Sequence, residues 1–337
     1  MSFPLSPLPS GSPAPPPRLS VIIPLFNCLP LTQAMFASLQ ATMPATVSYE
    51  VIFVDDGSTD GTREWLKNLP APSALTHPHA PLRAVLNDRN LGFAISNNRA
   101  IAGAHGDFLA LLNNDLVLEP NWLEPMLAAH HHLGPRAGLI GNIQRNFQTH
   151  AIDHTGIIIN HQGKPVHDRA RPSRFHPKFS QVRRVPAVTG ACLLLTRKLW
   201  QTLGGFDEGF VNGGEDVDLC FRAREHGHVN AVALASTVLH HISSSAGRKL
   251  RDEENSRRLL ARWRRAFALA ADEACRDWCR AHFERILIDP RTADPALACH
   301  AWFYALGLTP TPPLEAIAFI EAGQNREFAR WDSIFTH

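Results

Sequence analysis

Glu50-Val51-Ile52-Phe53-Val54-Asp55-Asp56-Gly57-Ser58 is the stretch on which the fold turns. From Val51 to Val54 it runs without a polar break. That is how a strand buried on both faces reads, in contrast to the alternation of a strand facing water. It stops at two acids and a Gly-Ser turn, after which Thr59 or Asp60 can cap a helix through Leu66. The same unit recurs on either side. Leu19–Leu25 reads as a short buried strand followed by a periodic helical segment, Leu31–Leu39. Leu82–Leu86 is a third strand with a helix over Phe93–Ala104. Asp107–Leu112 is a fourth strand, ending at Asn113-Asn114-Asp115, and another helix is expected near Pro120. This alternation predicts an α/β fold whose mostly parallel sheet is covered by helices on both faces. In such sheets ligands sit beyond the carboxyl ends of the strands. Asp55-Asp56 and Asp115 therefore share one rim.

The pattern changes after about residue 135. Residues 142–186 are polar and read as loops and short strands. Residues 187–196 form an apolar strand leading to a helix over Lys198–Leu203, and Gly204–Gly214 is a turn-rich loop. Glu215–Ala223 reads as a helix with acids in its first turn and arginine later, which suits the helix dipole. Residues 229–240 form a last apolar strand ending at His240-His241. Beyond Arg248 the chain is Arg- and Ala-rich and helical. The expected organisation is a Pro-rich tail over 1–17, an α/β domain over 18–246 and a helical C-terminal extension over 247–337.

Composition narrows the functions open to it. The chain has 337 residues and a formal net charge of +2, so bulk electrostatic attraction to nucleic acid is not expected. Its basic residues cluster only after residue 247 and lack interleaved aromatic stacking platforms. The six cysteines contain no C-x-x-C pair, which argues against a zinc ribbon or a thioredoxin-like site. Cys275 and Cys279 read as buried free thiols on one helix face. Seven prolines in residues 1–17 and no apolar core there speak against a signal peptide. No run approaches the roughly 18 apolar residues of a membrane span. The expectation is a cytoplasmic protein, at most peripheral at the inner face of the membrane.

Four constellations could carry chemistry. At a strand end, the carboxylates of Asp55-Asp56 could accept from a nucleobase imide or a ribose hydroxyl, with Gly57 allowing close approach of a flat ligand. The plainer reading is a turn with a capping acid. Asp115 at the rim could bind a hard divalent cation bridging a diphosphate; the alternative is an Asx-rich turn. Gly213-Gly214-Glu215-Asp216-x-Asp218 crowds three acids beside flexible glycines, an arrangement that can produce a base, or one that simply enriches a helix start in acids. His240, at a strand end beside His241, could complete a metal site begun by Asp115. His130-His131-His132 suggests an exposed helix end more than a metal tract, and His77 and His79 suggest a loop. Arg248–Arg265 holds eight basic residues against three acids. It reads either as a solvated helix face or as a contact for an anionic membrane surface or acceptor.

In this order the elements resemble the family 2 glycosyltransferases with the GT-A fold. Val21–Asn27 is similar to that family's opening strand and Val54–Thr62 to its nucleotide-binding turn. Asn90-Leu91-Gly92-Phe93-Ala94-x-x-Asn97-Asn98 and Leu112-Asn113-Asn114-Asp115 resemble the rhamnosyltransferase-like branch. Thr189-Gly190-Ala191, Gly204–Glu208 and Glu215–Ala223 are similar to the acceptor-side strand, its loop and the motif carrying the base. The resemblance implies transfer of one sugar, with inversion, from a nucleotide-diphosphate sugar (dTDP-rhamnose or a UDP-sugar) to a glycan or lipid-linked acceptor. It implies Asp216 as general base and Asp115 with His240 as ligands of Mn²⁺ or Mg²⁺. Pro24, Asp55, Asp56, Asn90, Gly92, Asn114, Gly190, Gly214, Glu215 and Asp218 are implied as substrate-binding, with Glu215 and Asp218 orienting acceptor or helix. There are departures. Asn113 replaces the first acid of the Asp-x-Asp motif, and the Gln-x-x-Arg-Trp signature of processive members is absent. A nucleotidyltransferase would need a Gly-rich phosphate loop where Pro24-Leu25-Phe26-Asn27 stands. A non-catalytic sugar-binding module is the remaining alternative.

Overall fold

The computed structural model describes residues 18–69, 81–170, 182–241, 251–288 and 294–335. The Pro-rich tail, His77, His79, the serines after His241 and the expected 246/247 boundary lie outside the described residues.

Four strands build the first half of the central sheet: β1 (Leu19–Leu25), β2 (Tyr49–Asp55), β3 (Leu82–Leu86) and β4 (Phe108–Leu112). β1 pairs in parallel with β2 and β4, and β2 with β3. The crossovers are α1 (Leu29–Thr42), α2 (Thr62–Lys67) and α3 (Phe93–Ala102). Alternate side chains of these strands enter two cores. Ile22, Ile52, Val54, Leu109 and Leu111 pack on one face; Val21, Ile23, Val51, Phe53, Ala110 and Leu112 pack on the other. Burial on both faces is why the sequence shows no alternation here. Pro24 sits beyond the β1–β4 ladder, which ends at Ile22–Leu111, so its missing N–H breaks no bond there. The helix after β2 starts later than its sequence suggests, at Thr62. Asp60 accepts from the Thr62 and Leu29 amides and so ties the starts of α1 and α2 together.

After β4 the strands run in both directions. β5 (Leu116–Leu118), α4 (Glu124–Leu133), β6 (Ala137–Asn146), the short strands β7 (Ile152–His154), β8 (Ile157–Ile159), β9 (Pro165–His167) and β10 (Val182–Arg184), and then β11 (Cys192–Thr196) follow in order. α5 (Arg197–Leu203), α6 (Glu215–Glu225) and β12 (Val229–His240) complete this part. The strand order is β10-β12-β6-β11-β4-β1-β2-β3. β11 is antiparallel to both β4 and β6. Among the described residues no helix separates β6 from β11, and a parallel return needs a long crossover. β12 then runs parallel to β6. β8 and β9 form a separate hairpin.

The remaining chain is α7 (Asp252–Ala270), α8 (Asp272–Ile288), α9 (Pro295–Ala305) and α10 (Leu314–Phe335). These helices share the core of the sheet's first face: Leu259, Leu260, Trp263 and Phe267 of α7 join Val217 and Phe221 of α6 and Ile157 of β8. Cys275 and Cys279 are buried and free on α8. The arginines of α7 are paired within the molecule. Arg258 and Arg262 reach Asp207, Arg262 reaches Asp218, Arg257 reaches Asp332, Arg265 reaches Glu321 and Arg264 reaches Asn325. The arginines of Arg257–Arg265 thus have partners within the molecule, with side chains that stay partly exposed. No helix among the described residues is long and apolar enough to cross a membrane.

Candidate active site

A cavity of about 320 Å³ opens at the carboxyl ends of β1, β2 and β4. Its lining includes Pro24, Phe26, Asp56, Asn90, Phe93, Ser96, Asn113, Asn114, Asp115, Thr189, Gly190, Asn212, Glu215 and Asp216. The sheet places these residues together for a simple reason. Parallel strands all end on one side, and the antiparallel β11 brings the loop before its start to that same side. Eight of the expected site residues line this cavity: Pro24, Asp56, Asn90, Asn114, Asp115, Gly190, Glu215 and Asp216.

The two acids after β2 have different fates. Asp55 is fully buried; its carboxylate accepts from the Ser58 amide and from Arg63 Nε at 2.7 Å. It locks the turn and does not line the cavity. Asp56 Oδ1 accepts from Asn87 Nδ2 at 2.9 Å and the Leu91 amide at 2.8 Å, and Oδ2 from the Gly92 amide at 2.9 Å. One acceptor position on Oδ2 is left for a ligand. Gly92 therefore acts through its N–H on Asp56, and its φ of 93° explains the glycine. Gly57 serves a different close approach from the expected one. A Cβ there would lie 2.6 Å from the Arg89 carbonyl carbon, so the glycine admits the neighbouring loop, not a ligand.

Asn114 is held by its own side chain, with Nδ2 donating to Thr32 Oγ1 at 2.9 Å. Asp115 follows it, and the β5 ladder explains where it goes. β5 pairs antiparallel with the end of β12, setting Leu116 opposite His240, and the His241 amide donates to the Asp115 carbonyl. Asp115 and His240 thus meet from distant parts of the chain, with Nε2 and Oδ1 3.3 Å apart. Both side chains are buried. Asp115 Oδ1 and both His240 ring nitrogens make no hydrogen bond. A carboxylate oxygen and an imidazole nitrogen, side by side and hydrogen-bonded to no other group, fit a shared divalent cation. Among the described residues no cluster of three or more His, Cys, Asp and Glu side chains gathers around a metal position, so such an ion would take the rest of its shell from elsewhere. His241 turns away and stacks on Phe147 at 3.9 Å. His130 packs edge-on against Phe108, and burial pushes its imidazole pKa down.

Asp216 opens α6. Its Oδ2 accepts from the Gly190 amide at 2.7 Å and its Oδ1 from the Val217 amide at 2.8 Å. A Cβ on Gly190 would lie 3.3 Å from Phe93, a tight fit, and in ordinary contact with Asp216 Cβ at 3.5 Å. Glu215 is buried and accepts from the Gly213 amide at 2.8 Å, and Gly214 turns the chain into the helix with φ of 92°. Asp218 is elsewhere. It is wholly buried on the opposite face of α6, accepting from Arg222 Nε at 2.8 Å and Trp263 Nε1 at 2.9 Å. It anchors α7 instead of orienting a substrate.

Phe26, Ser96 and Asn212 line the cavity without having been singled out. Asn212 has φ of 54° and accepts from the Phe93 amide at 3.1 Å, joining the loop before α6 to the start of α3. An asparagine between Val211 and two glycines was the available signal, since asparagine tolerates that backbone region. Cys28 lies near the cavity; burial, with Asp60 and Asp115 nearby, pushes its thiol up, so it stays protonated.

A mixed sheet with a parallel half, an acidic rim and a cavity over the strand ends is the architecture of GT-A type glycosyltransferases. The chain belongs to glycosyl transferase family 2, whose sequence model matches residues 20–204. It is 29% identical over 238 residues to the O-antigen biosynthesis protein RfbC of Myxococcus xanthus, covering 68% of this chain and 18% of that protein. It is 28% identical over 253 residues to the N-acetylglucosaminyl-diphospho-decaprenol L-rhamnosyltransferase of Mycobacterium tuberculosis, covering 68% of this chain and 78% of that protein. Another bacterial relative is spanned over only 26% of its length. Among solved structures, GalNAc-T7 with UDP, GalNAc and Mn²⁺ superposes with a TM-score of 0.60 at 17% identity, over 74% of this chain and 48% of that one.

Proposed function

We propose that this chain transfers a single sugar, with inversion, from a nucleotide-diphosphate sugar to a hydroxyl of a glycan or lipid-linked acceptor. The observation that carries the reading is the convergence of Asp56, Asp115 and Asp216 on one cavity. Phe26 is 40% exposed there and offers a ring on which a nucleobase can stack. The remaining acceptor position on Asp56 suits an imide N–H or a ribose hydroxyl. Asp115 and His240 would hold a divalent cation, Mn²⁺ or Mg²⁺, which when bound neutralises charge on the diphosphate leaving group. dTDP-rhamnose and UDP-sugars are the donors to try first. A rhamnosyltransferase stands among the relatives, and a UDP complex among the fold neighbours.

Asp216 does the proton chemistry. Two backbone N–H groups fix its carboxylate, and each oxygen keeps an acceptor position for an incoming hydroxyl. As the acceptor oxygen bonds the anomeric carbon, its proton passes to Asp216 and the carbon–diphosphate bond breaks on the opposite face. A positioned base contributes about 10²–10⁴-fold in rate. Asp216→Asn removes the base and keeps one of the two backbone contacts, because its amide oxygen accepts and its amide nitrogen does not. The expected result is a loss of nucleoside diphosphate release of that size, with UDP or dTDP binding retained. Turnover close to wild type in the folded variant would falsify the assignment. Chelation with EDTA is expected to abolish transfer and added Mn²⁺ to restore it.

A further inference from the structure

Behind His240 the sheet carries polar side chains on a face that is otherwise apolar. Ile140, Cys192, Ala231, Ala233 and Val238 pack there. Gln144 of β6 and His154 of β7 stand among them, 1% and 0% exposed. Among the described residues neither has a hydrogen-bond partner: both polar atoms of the Gln144 amide and both ring nitrogens of His154 are buried and unbonded. A buried amide that bonds nothing is costly, and native proteins rarely keep one idle. The proposed transfer reaction has so far used neither residue.

Strand register decides what this amide can reach. In the parallel β6–β12 ladder Gln144 stands opposite Val238 and Asn146 opposite His240, so Gln144 and His240 are diagonal neighbours. Alternate residues of a strand share a face. Diagonal neighbours lie about 7–8 Å apart, within reach of long side chains. On its other side Gln144 pairs directly with His154 of the antiparallel β7. The His240 imidazole is close enough to act electrostatically on His154, and burial holds the His154 pKa well below its ordinary value, so that ring is neutral. Asn146 is already committed. Its Oδ1 accepts from the Gln148 and Thr149 amides, each at 2.9 Å.

We infer that Gln144 is a positioning residue for the cation site, its amide oxygen accepting the Nδ1 proton of His240 and its amide nitrogen donating to His154. The inference rests on Asp115 and His240 holding the cation. The His240 atom beside Asp115 is Nε2. A neutral imidazole that gives Nε2 to a cation carries its proton on Nδ1, and among the described residues that nitrogen has no hydrogen-bond partner. Torsion of the Gln144 side chain brings its oxygen to this proton and turns its NH₂ toward a bare nitrogen of His154. A donor on one side and an acceptor on the other then fix which way the amide points. His240 is held in the tautomer that a cation needs. Leucine at this position would fill the space and supply neither bond.

Titration of the full chain with Mn²⁺, followed by electron paramagnetic resonance in the presence of UDP or dTDP, tests this. Gln144→Leu is expected to weaken Mn²⁺ binding about 10–100-fold, the usual effect of losing a partner of a metal-bound histidine. The melting temperature of the metal-free protein is expected to hold, because the amide bonds nothing there. Gln144→Glu keeps an acceptor at the same reach and is expected to retain the wild-type affinity. If the leucine variant does not fold, Gln144→Met, which keeps the unbranched stem, takes its place. Wild-type affinity in a folded leucine or methionine variant, or a loss in Gln144→Glu as large as theirs, would overturn the inference. Absence of Mn²⁺ binding in the wild type, or undiminished binding in Asp115→Ala and His240→Ala, would instead overturn the cation reading beneath it.

Discussion

Asp55 and Asp56 are adjacent in sequence yet occupy different worlds, one sealed against Arg63 and the other at the cavity wall with an acceptor position to spare. No sequence pattern separates them, because which carboxylate faces the rim is set by the last residues of β2 and by what the loop at Asn87–Gly92 donates. The glycine beside them is a structural requirement of the same loop. Gly57→Ala places a methyl group against the Arg89–Asn90 backbone at a residue with φ of 83°. The left-handed backbone alone costs about 1–2 kcal/mol, and the turn must also shift. We expect a lowered melting temperature together with weaker UDP or dTDP binding by calorimetry. Unchanged nucleotide affinity would show that the Asp56 turn does not hold the donor.

At the scale of elements, the parallel half of the sheet was legible because β1, β2 and β4 are apolar on both faces and their crossovers carry helical periodicity. β12 spans Val229–His240, the length of its apolar run in the sequence. The mixed half was not legible: its strand directions are set by pairing between strands distant in sequence, and pairing partners leave no local mark. β5 was missed for its brevity, yet its three residues bring Asp115 to His240. α7 was read as a basic helix, but its docking depends on an acid in another element. Asp218 joins α6 to α7 through Trp263 and Arg262, and to its own helix through Arg222. Asp218→Ala leaves Arg222 and the Trp263 N–H in a dry setting without their acceptor. Breaking a buried pair of this kind costs about 3–5 kcal/mol, to be seen as a lower urea midpoint. Arg257→Ala, which removes an exposed pair with Asp332, is expected to cost less than about 1 kcal/mol. Equal effects of the two would mean that Asp218 is not the joint.

Over the whole molecule, acid sensitivity has an identifiable contributor far from the cavity. Glu50 is buried at the start of β2. Burial alone would raise its pKa, but the His105 amide, Ser20 and Arg83 stabilise the carboxylate and hold it below its ordinary value of 4.5. A carboxyl with a depressed folded pKa stabilises the protein above its unfolded pKa, and that stabilisation fades as pH falls through the folded value. Glu50→Gln is expected to lower the melting temperature at pH 7 and to flatten its decline below about pH 4.5. A wild-type slope retained in the variant would place the acid-sensitive group elsewhere.

The pairing of the α7 arginines has a practical corollary for anyone wishing to shorten the gene. Removing the helices after residue 250 would strip two guanidinium partners, Arg258 and Arg262, and Trp263 from Asp207 and Asp218, and would open the apolar surface around Val217 and Phe221 to water. A shortened polypeptide ending there is expected to precipitate when expressed, in the manner of half a core, instead of behaving as a minimal catalyst.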